Sequence, residues 1–368
     1  MSSPGNPAGG LTLFVGTQKG LFRFRSVAAR IRWAIDGPHM AGYEVIHVLV
    51  SPTDPSLVHA AVKHSVWGAH VYRSRDGGAS WSSLDAVPHH EPGKRDKSLK
   101  AIWFLASSPD GSRMYAGIDP AGLFTSDDAG ESWQPVEALN DHPTRDSWEP
   151  AKGGFSLHSI YVDPVDPRRI YCAISAGGVY RSEDGGASWA PANQGVRAEN
   201  LPNRFPASGH NVHRLVMHPA RPARLYRQCY NGVYVSDDGG RQWTEITKGL
   251  PGDFGYAIAV DPADSDTVFQ VPESGAHMRT VVDGRLRVFV SRDAGRSWAS
   301  SSEGLPRENA WITVLREAID TDGRDPCGVY FGTSGGHVFA SNDAARRWTQ
   351  LAGYLPRVLC VRAAPAGE

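Results

Sequence analysis

The sequence predicts an all-β fold: a seven-bladed β-propeller with one blade shared between the two ends of the chain. Three observations predict it. An octapeptide recurs six times at nearly even spacing, short apolar runs precede each copy, and the two terminal segments each hold only part of a blade. Six blades is the alternative if one assignment fails.

The octapeptide is Ser-x-Asp-x-Gly-x-x-Trp. It occurs at Ser74/Asp76/Gly78/Trp81, Ser126/Asp128/Gly130/Trp133 and Ser182/Asp184/Gly186/Trp189. It returns at Ser236/Asp238/Gly240/Trp243, at Ser291/Asp293/Gly295/Trp298, and at Ser341/Asp343/Trp348 with Ala345 in the glycine place. Successive serines lie 52, 56, 54, 55 and 50 residues apart, a span that fits one four-stranded blade with its loops. The residue types describe a turn. An Asp carboxylate accepts from backbone N–H groups just downstream, a glycine permits positive φ, and an indole wedges between neighbouring sheets.

Each copy ends a similar series. In Leu157–Pro164 an apolar run closes on Asp163-Pro164; Arg169–Ala173 and Gly178–Ser182 follow. The same series opens at Val45–Pro52, Val212–Pro219 and Ala257–Pro262, and such nearly continuous apolar runs suit strands buried on both faces. At the start, Leu11–Phe24 reads as second and third strands and Ile31–Ile35, with Trp33, as a fourth. At the end, Val358–Ala364 reads as a first strand with nothing after it. Pairing the two completes a seventh blade and leaves no open sheet edge. Residues 11–365 thus form one domain, behind a polar, Gly/Pro-rich tail, Met1–Gly10, expected to be disordered.

Composition narrows the function. The net charge of -1 lacks the basic footprint of a nucleic-acid binder, and no apolar run is long enough to cross a membrane. The start lacks the charged and apolar regions of a secretory signal, and Cys172, Cys229, Cys327 and Cys360 stand far apart without a CxxC pair. Both point to a cytoplasmic protein with free thiols.

Binding residues are expected on the blade links and the turns between second and third strands, opposite the octapeptide turns. These segments are long and polar. The link Pro88–Lys100 carries Lys94, Arg95 and Lys100; Asn140–Phe155 carries Lys152; Asn193–Asn211 carries Arg204. His158 and His213 open the first strands of adjacent blades at equivalent places, and Glu44, Lys100, Tyr256 and Trp311 stand at similar entrances. His47, His59 and His218 read as packing or surface residues. Two imidazoles and a carboxylate converging on a channel mouth could bind a divalent metal or transfer protons. The catalytic candidates are therefore His158 and His213, also the candidate metal ligands, with Glu44 or Asp119 as the carboxylate. Arg204, Arg279 and Lys100 would hold an anionic group, and Trp67, Trp103, Trp311, Tyr230 or Tyr256 would face a ring.

The octapeptide resembles the Asp-box, or BNR, repeat, in which the box is a structural turn between third and fourth strands. Nearly the whole chain is similar to a bacterial BNR group labelled sialidase-like or glycosyl-hydrolase-like. The stretches that carry this are Gly153–Ile160, Asn211–Pro219 and Asp253–Tyr256. The group's turn before Gly232-Val233-Tyr234 tends to read Asn-His-Cys; here it reads Cys229-Tyr230-Asn231, which weakens a metal site using that turn. No Arg-Ile-Pro motif of true sialidases is present. The resulting expectation is an enzyme, a hydrolase or lyase, acting on a small polar, sugar-like or anionic molecule at the channel mouth. A protein-assembly propeller and a carbohydrate-binding lectin are the alternatives.

Overall fold

A computed structural model describes residues 10–27, 29–91, 98–149, 154–199 and 201–366. Lys94, Arg95, Lys152 and Gly153 lie outside these residues, as does most of the expected tail. Seven four-stranded antiparallel sheets follow one another around an axis, which excludes the six-bladed alternative.

Six sheets are consecutive in sequence. The first runs Glu44–Val50, Val58–His64, Gly68–Ser74 and Ser82–Ser83, and the pattern repeats through the sheet ending at Thr349–Ala352. The seventh combines both ends, in the order Val358–Pro365, Leu11–Thr17, Gly20–Ser26, Trp33–His39. Its terminal strands pair antiparallel from Leu11 opposite Pro365 to Thr17 opposite Val358. Backbone hydrogen bonds extend the seam at both ends, from Gln18 N to Arg357 O (3.0 Å) and from Ala366 N to Gly10 O (3.0 Å). A buried ion pair joins the terminal blade to its neighbour, Arg30 Nη1 to Asp322 Oδ2 at 2.9 Å, and the same Oδ2 accepts from the Tyr330 hydroxyl at 2.8 Å.

Inner strands are buried on both faces because each sheet packs between two others. The approach is close enough to require bare backbone: a Cβ at Gly16 would lie 2.5 Å from Val45 O, and one at Gly117 would lie 2.4 Å from Leu157 O. Outer strands are short and exposed, as at Gln134–Pro135 and Thr244–Glu245, so the rim offers little edge for pairing with other chains.

At Ser74–Trp81 the Asp76 carboxylate accepts from Ala79 N and Ser80 N, both at 2.9 Å, and from Ser80 Oγ at 2.6 Å. Ser74 Oγ donates to Asp76 at 2.7 Å and accepts from Gly78 N at 2.8 Å. These donors favour the ionised form, and the equivalent Asp184 is held down to about 2, chiefly by Ser188. Trp243, Trp298 and Trp348 direct their indole N–H back to the preceding blade, onto Ala192 O, Ile246 O and Ser301 Oγ. In the sixth copy Ala345 adopts φ 62°, taking the left-handed conformation that glycine takes elsewhere.

Removing the strand Val358–Pro365 should open the ring. We expect the truncated chain to lose its single cooperative thermal transition and to bind a hydrophobic dye at room temperature. A truncated protein that melted as sharply as the intact chain would show that the seam is dispensable.

Candidate functional site

One irregularity recurs where the innermost strands enter the channel. The pairing of first with second strand slips by one residue between Val45 and His47, Ile102 and Phe104, Leu157 and Ser159, and Val212 and Arg214. It slips again between Gly255 and Ile258, and opposite Gly16–Thr17 in the terminal blade. A bulge re-aims the extra side chain out of the alternating pattern. The re-aimed residues include Ile46, Trp103, His213, Tyr256 and Leu359, and all five line one cavity of about 790 Å3 at the channel mouth.

The cavity gathers part of the expected set. Glu44, Trp103, His213, Tyr230, Tyr256 and Arg279 line it. His213 Nδ1 lies 2.7 Å from Gly255 O and its ring stacks on Tyr256 at 4.6 Å. Burial, reinforced by the Arg316 charge, lowers its pKa to about 3. The imidazole is therefore neutral near pH 7, Nδ1–H donates to the carbonyl, and Nε2 presents a lone pair.

The remaining expected residues stand elsewhere. His158 sits at the equivalent bulge but is fully buried, with Nε2 2.9 Å from Val212 O and Nδ1 3.1 Å from Ser159 Oγ. It belongs to the wall, so the two histidines do not present a joint pair of free nitrogens. Asp119 is buried behind Gly154, a cavity residue. Lys100 is exposed and contributes a backbone N–H to Asp119 O, and Arg204 is exposed on its link. Trp67, 68% exposed, projects from a hairpin beside His64. Trp311 rests against Gly284. None of these six lines the cavity. Among the described residues, no three His, Cys, Asp or Glu side chains converge as a metal-ligand group.

Three groups that sequence reasoning did not single out dominate the electrostatics. Glu317 lines the cavity and is 4% exposed; Arg214 forms an ion pair with its Oε2, and His47 Nε2 lies 3.8 Å from the same oxygen. His47 is thus a buried channel residue. His59 and His218 bond to the carbonyls of Ala129 and Asp261. Oε1 of Glu317 is buried and accepts no hydrogen bond. Arg316 packs its guanidinium 5.1 Å from the Trp103 ring and 6.0 Å from the Tyr256 ring. Glu273 is buried behind Thr313, whose hydroxyl donates to Oε1, and burial raises its pKa to about 7. The one available signal was Arg316-Glu317 itself, a charged pair inside the apolar run Ile312–Ile319.

A second cavity of about 750 Å3 lies at the octapeptide turns near Trp298 and Ala345. Its carboxylate Glu303 is tied to Arg347 at 2.6 Å, and no aromatic cluster with opposed charges faces it.

Comparison with known proteins adds relatives with this architecture. The family profile described as Sortilin, neurotensin receptor 3 (Sortilin-Vps10) matches residues 123–286. A xyloglucanase from Paenibacillus sp. is 27% identical over 271 residues, which is 65% of this chain and 24% of that protein. The chain spans only about a quarter to a third of such curated relatives. The GH74 enzyme of Niastella koreensis superposes with a TM-score of 0.59 at 18% identity, over 94% of this chain and 55% of that one. YCF48 bound to a D1 peptide superposes with a TM-score of 0.52 at 17% identity, over 83% of this chain and 80% of that one. At these identities the structural likenesses establish the fold alone.

These findings correct two expectations. The similarity to a sialidase-like BNR group does not stand, because the curated relatives are xyloglucanases. The cytoplasmic placement is not kept either, since the curated relatives are named as enzymes of xyloglucan, a cell-wall polysaccharide met outside the cell. The four cysteines are free and buried. No helix among the described residues is long and apolar enough to cross a membrane.

The raised Glu273 pKa makes a prediction for stability. Its neutral form is favoured in the fold, so its contribution is complete below about pH 4.5 and disappears as pH rises through about 7. Glu273→Gln, which keeps an acceptor for Thr313, should therefore be more stable than the natural chain at pH 8 by on the order of 2–3 kcal/mol, and close to it at pH 5. Denaturant unfolding at both pH values checks this; an equal difference at both would remove Glu273 as the cause.

Proposed function

We propose that this protein is a glycoside hydrolase that cleaves an oligosaccharide or polysaccharide at the channel mouth. The observation that carries the proposal is the presence of two carboxylates, Glu44 and Glu317, on one cavity walled by Trp103, Tyr230 and Tyr256. Aromatic faces suit the C–H faces of sugar rings, and glycoside hydrolysis runs on a pair of carboxyl groups. The xyloglucanase names of the curated relatives support the same reaction class.

The roles follow from surroundings. Glu317, ion-paired with Arg214 through Oε2, is the general base that takes a proton from water attacking the anomeric carbon. The glycosidic C–O bond breaks, and the leaving oxygen takes a proton from Glu44. The net transfer from Glu44 to Glu317 is reversed through solvent. Nε2 of His213 accepts a sugar hydroxyl. A divalent metal would find that nitrogen as its imidazole donor, because both nitrogens of His158 are engaged. The six octapeptide turns and the blade shared by the chain ends are read as structural fasteners, which leave the opposite face to carry chemistry.

A lectin needs the aromatic walls but not the two carboxylates, and Glu44 and Glu317 therefore favour the enzyme. Glu44→Gln and Glu317→Gln should each lower release of reducing ends from a glycan panel by about 10²–10⁴-fold with the far-UV spectrum unchanged. Glu317→Gln leaves Arg214 without its counter-ion and could lower stability, so Glu44→Gln carries the test on its own. Undiminished turnover in Glu44→Gln would sink the assignment.

A further inference from the structure

The proposed glycan has a specific chemical character. Lys63, Arg279, Arg316 and Arg357 all line the cavity, and among the described residues none forms an ion pair with a carboxylate. Against them stand Glu44 and Glu317, and Glu317 is already matched by Arg214. The cavity therefore carries an excess of positive charge, although the whole chain is at -1.

Three guanidiniums bear on one stretch of wall. Arg279 and Arg316 both act on His213, and Arg279 and Arg357 both act on Glu273. Arg316 is also fixed in place: it lies against Trp103 and Tyr256, and its Nη1 is buried without a hydrogen-bond acceptor. The nearby Glu317 carboxylate also acts on Arg316, but its ion pair is with Arg214, so Arg316 is buried without a direct partner and a bound anion would offset the remaining cost. Guanidinium recognises a carboxylate with two parallel hydrogen bonds, and the flanking aromatic rings suit a pyranose carrying it.

We propose that the cavity binds a hexuronic acid residue, its carboxylate held by Arg316 with Arg279 and Arg357 and its ring against Trp103 or Tyr256. This deepens the hydrolase reading by naming an acidic glycan, whereas xyloglucan, the substrate named for the relatives, is neutral.

Calorimetric titration of the full chain tests it with the methyl glycosides of glucuronic and galacturonic acid, their neutral glucoside and galactoside counterparts, and galactose 6-sulfate. At least one uronide should bind about tenfold or more tightly than its neutral counterpart, a difference of about 1.4 kcal/mol. That preference should shrink as salt rises and disappear in Arg316→Gln and in the double variant Arg279→Ala/Arg357→Ala. If Arg316→Gln does not fold, the double variant decides. Equal affinity for acid and neutral sugar, no binding of either uronide, or tighter binding of the sulfate ester overturns the proposal. The hydrolase reading is tested apart from it. Uronide preference without cleavage of any glycan ends the hydrolase reading and leaves the subsite. Cleavage of neutral xyloglucan without uronide preference does the reverse.

Discussion

The molecule depends on closing a ring of seven sheets with one non-covalent seam. Between Leu11–Thr17 and Val358–Pro365 the backbone hydrogen bonds of one sheet join the two ends of a 368-residue chain. The loop-closure entropy of that contact is large, though it grows only slowly with length. Several interactions offset it together. Bare backbone at Gly16 lets the terminal blade approach Val45, and Arg30 ties the same blade to Asp322 in its other neighbour. The terminal blade is thereby tied to the blades on both sides of it.

That rigidity gives the bulges their meaning. A regular strand would alternate its side chains between the two faces packed on neighbouring blades, and nothing would point along the channel. One extra residue per entrance breaks the alternation, so Trp103, His213 and Tyr256 converge although they lie on different blades. The same device produces opposite results at His158 and His213. Val212 O captures the ring of His158, whereas Gly255 O captures only Nδ1 of His213 and leaves Nε2 to the cavity.

This explains how much could be read from sequence. The blades were legible because turn chemistry repeats: each Ser-x-Asp-x-Gly-x-x-Trp is a local solution that needs no knowledge of the rest of the chain. The positions of His213, Glu44 and Tyr256 were legible because alignment on repeated features such as Asp-Pro marks the strand entrance, although the same alignment offered Lys100 and Trp311, which do not line the cavity. Glu317 was not, because its blade departs from the repeat. There the regular first strand is only Ile319–Thr321, and the cavity residues Thr313–Glu317 precede it without regular pairing. Arg214 and His47 were hidden for another reason. Their partner lies across the channel, and pairing across an axis leaves no periodic trace.

The buried charges make the channel more than a filled hole. The buried pair of Arg214 with Glu317 sets opposed charges in a region where water screens them poorly. Such pairs add little net stability, since desolvation cancels much of their attraction, but losing one partner costs about 3–5 kcal/mol. They are therefore better understood as fixing the orientation of groups than as holding the fold. Glu317 shows this most clearly: one oxygen is anchored by Arg214, and the other has no partner within the protein. In the proposed reaction such a fixed orientation would spare the carboxylate reorganisation, the condition under which electrostatic catalysis is most effective. Seven repeated blades supply the frame, and the departures from repetition shape the cavity at the channel mouth.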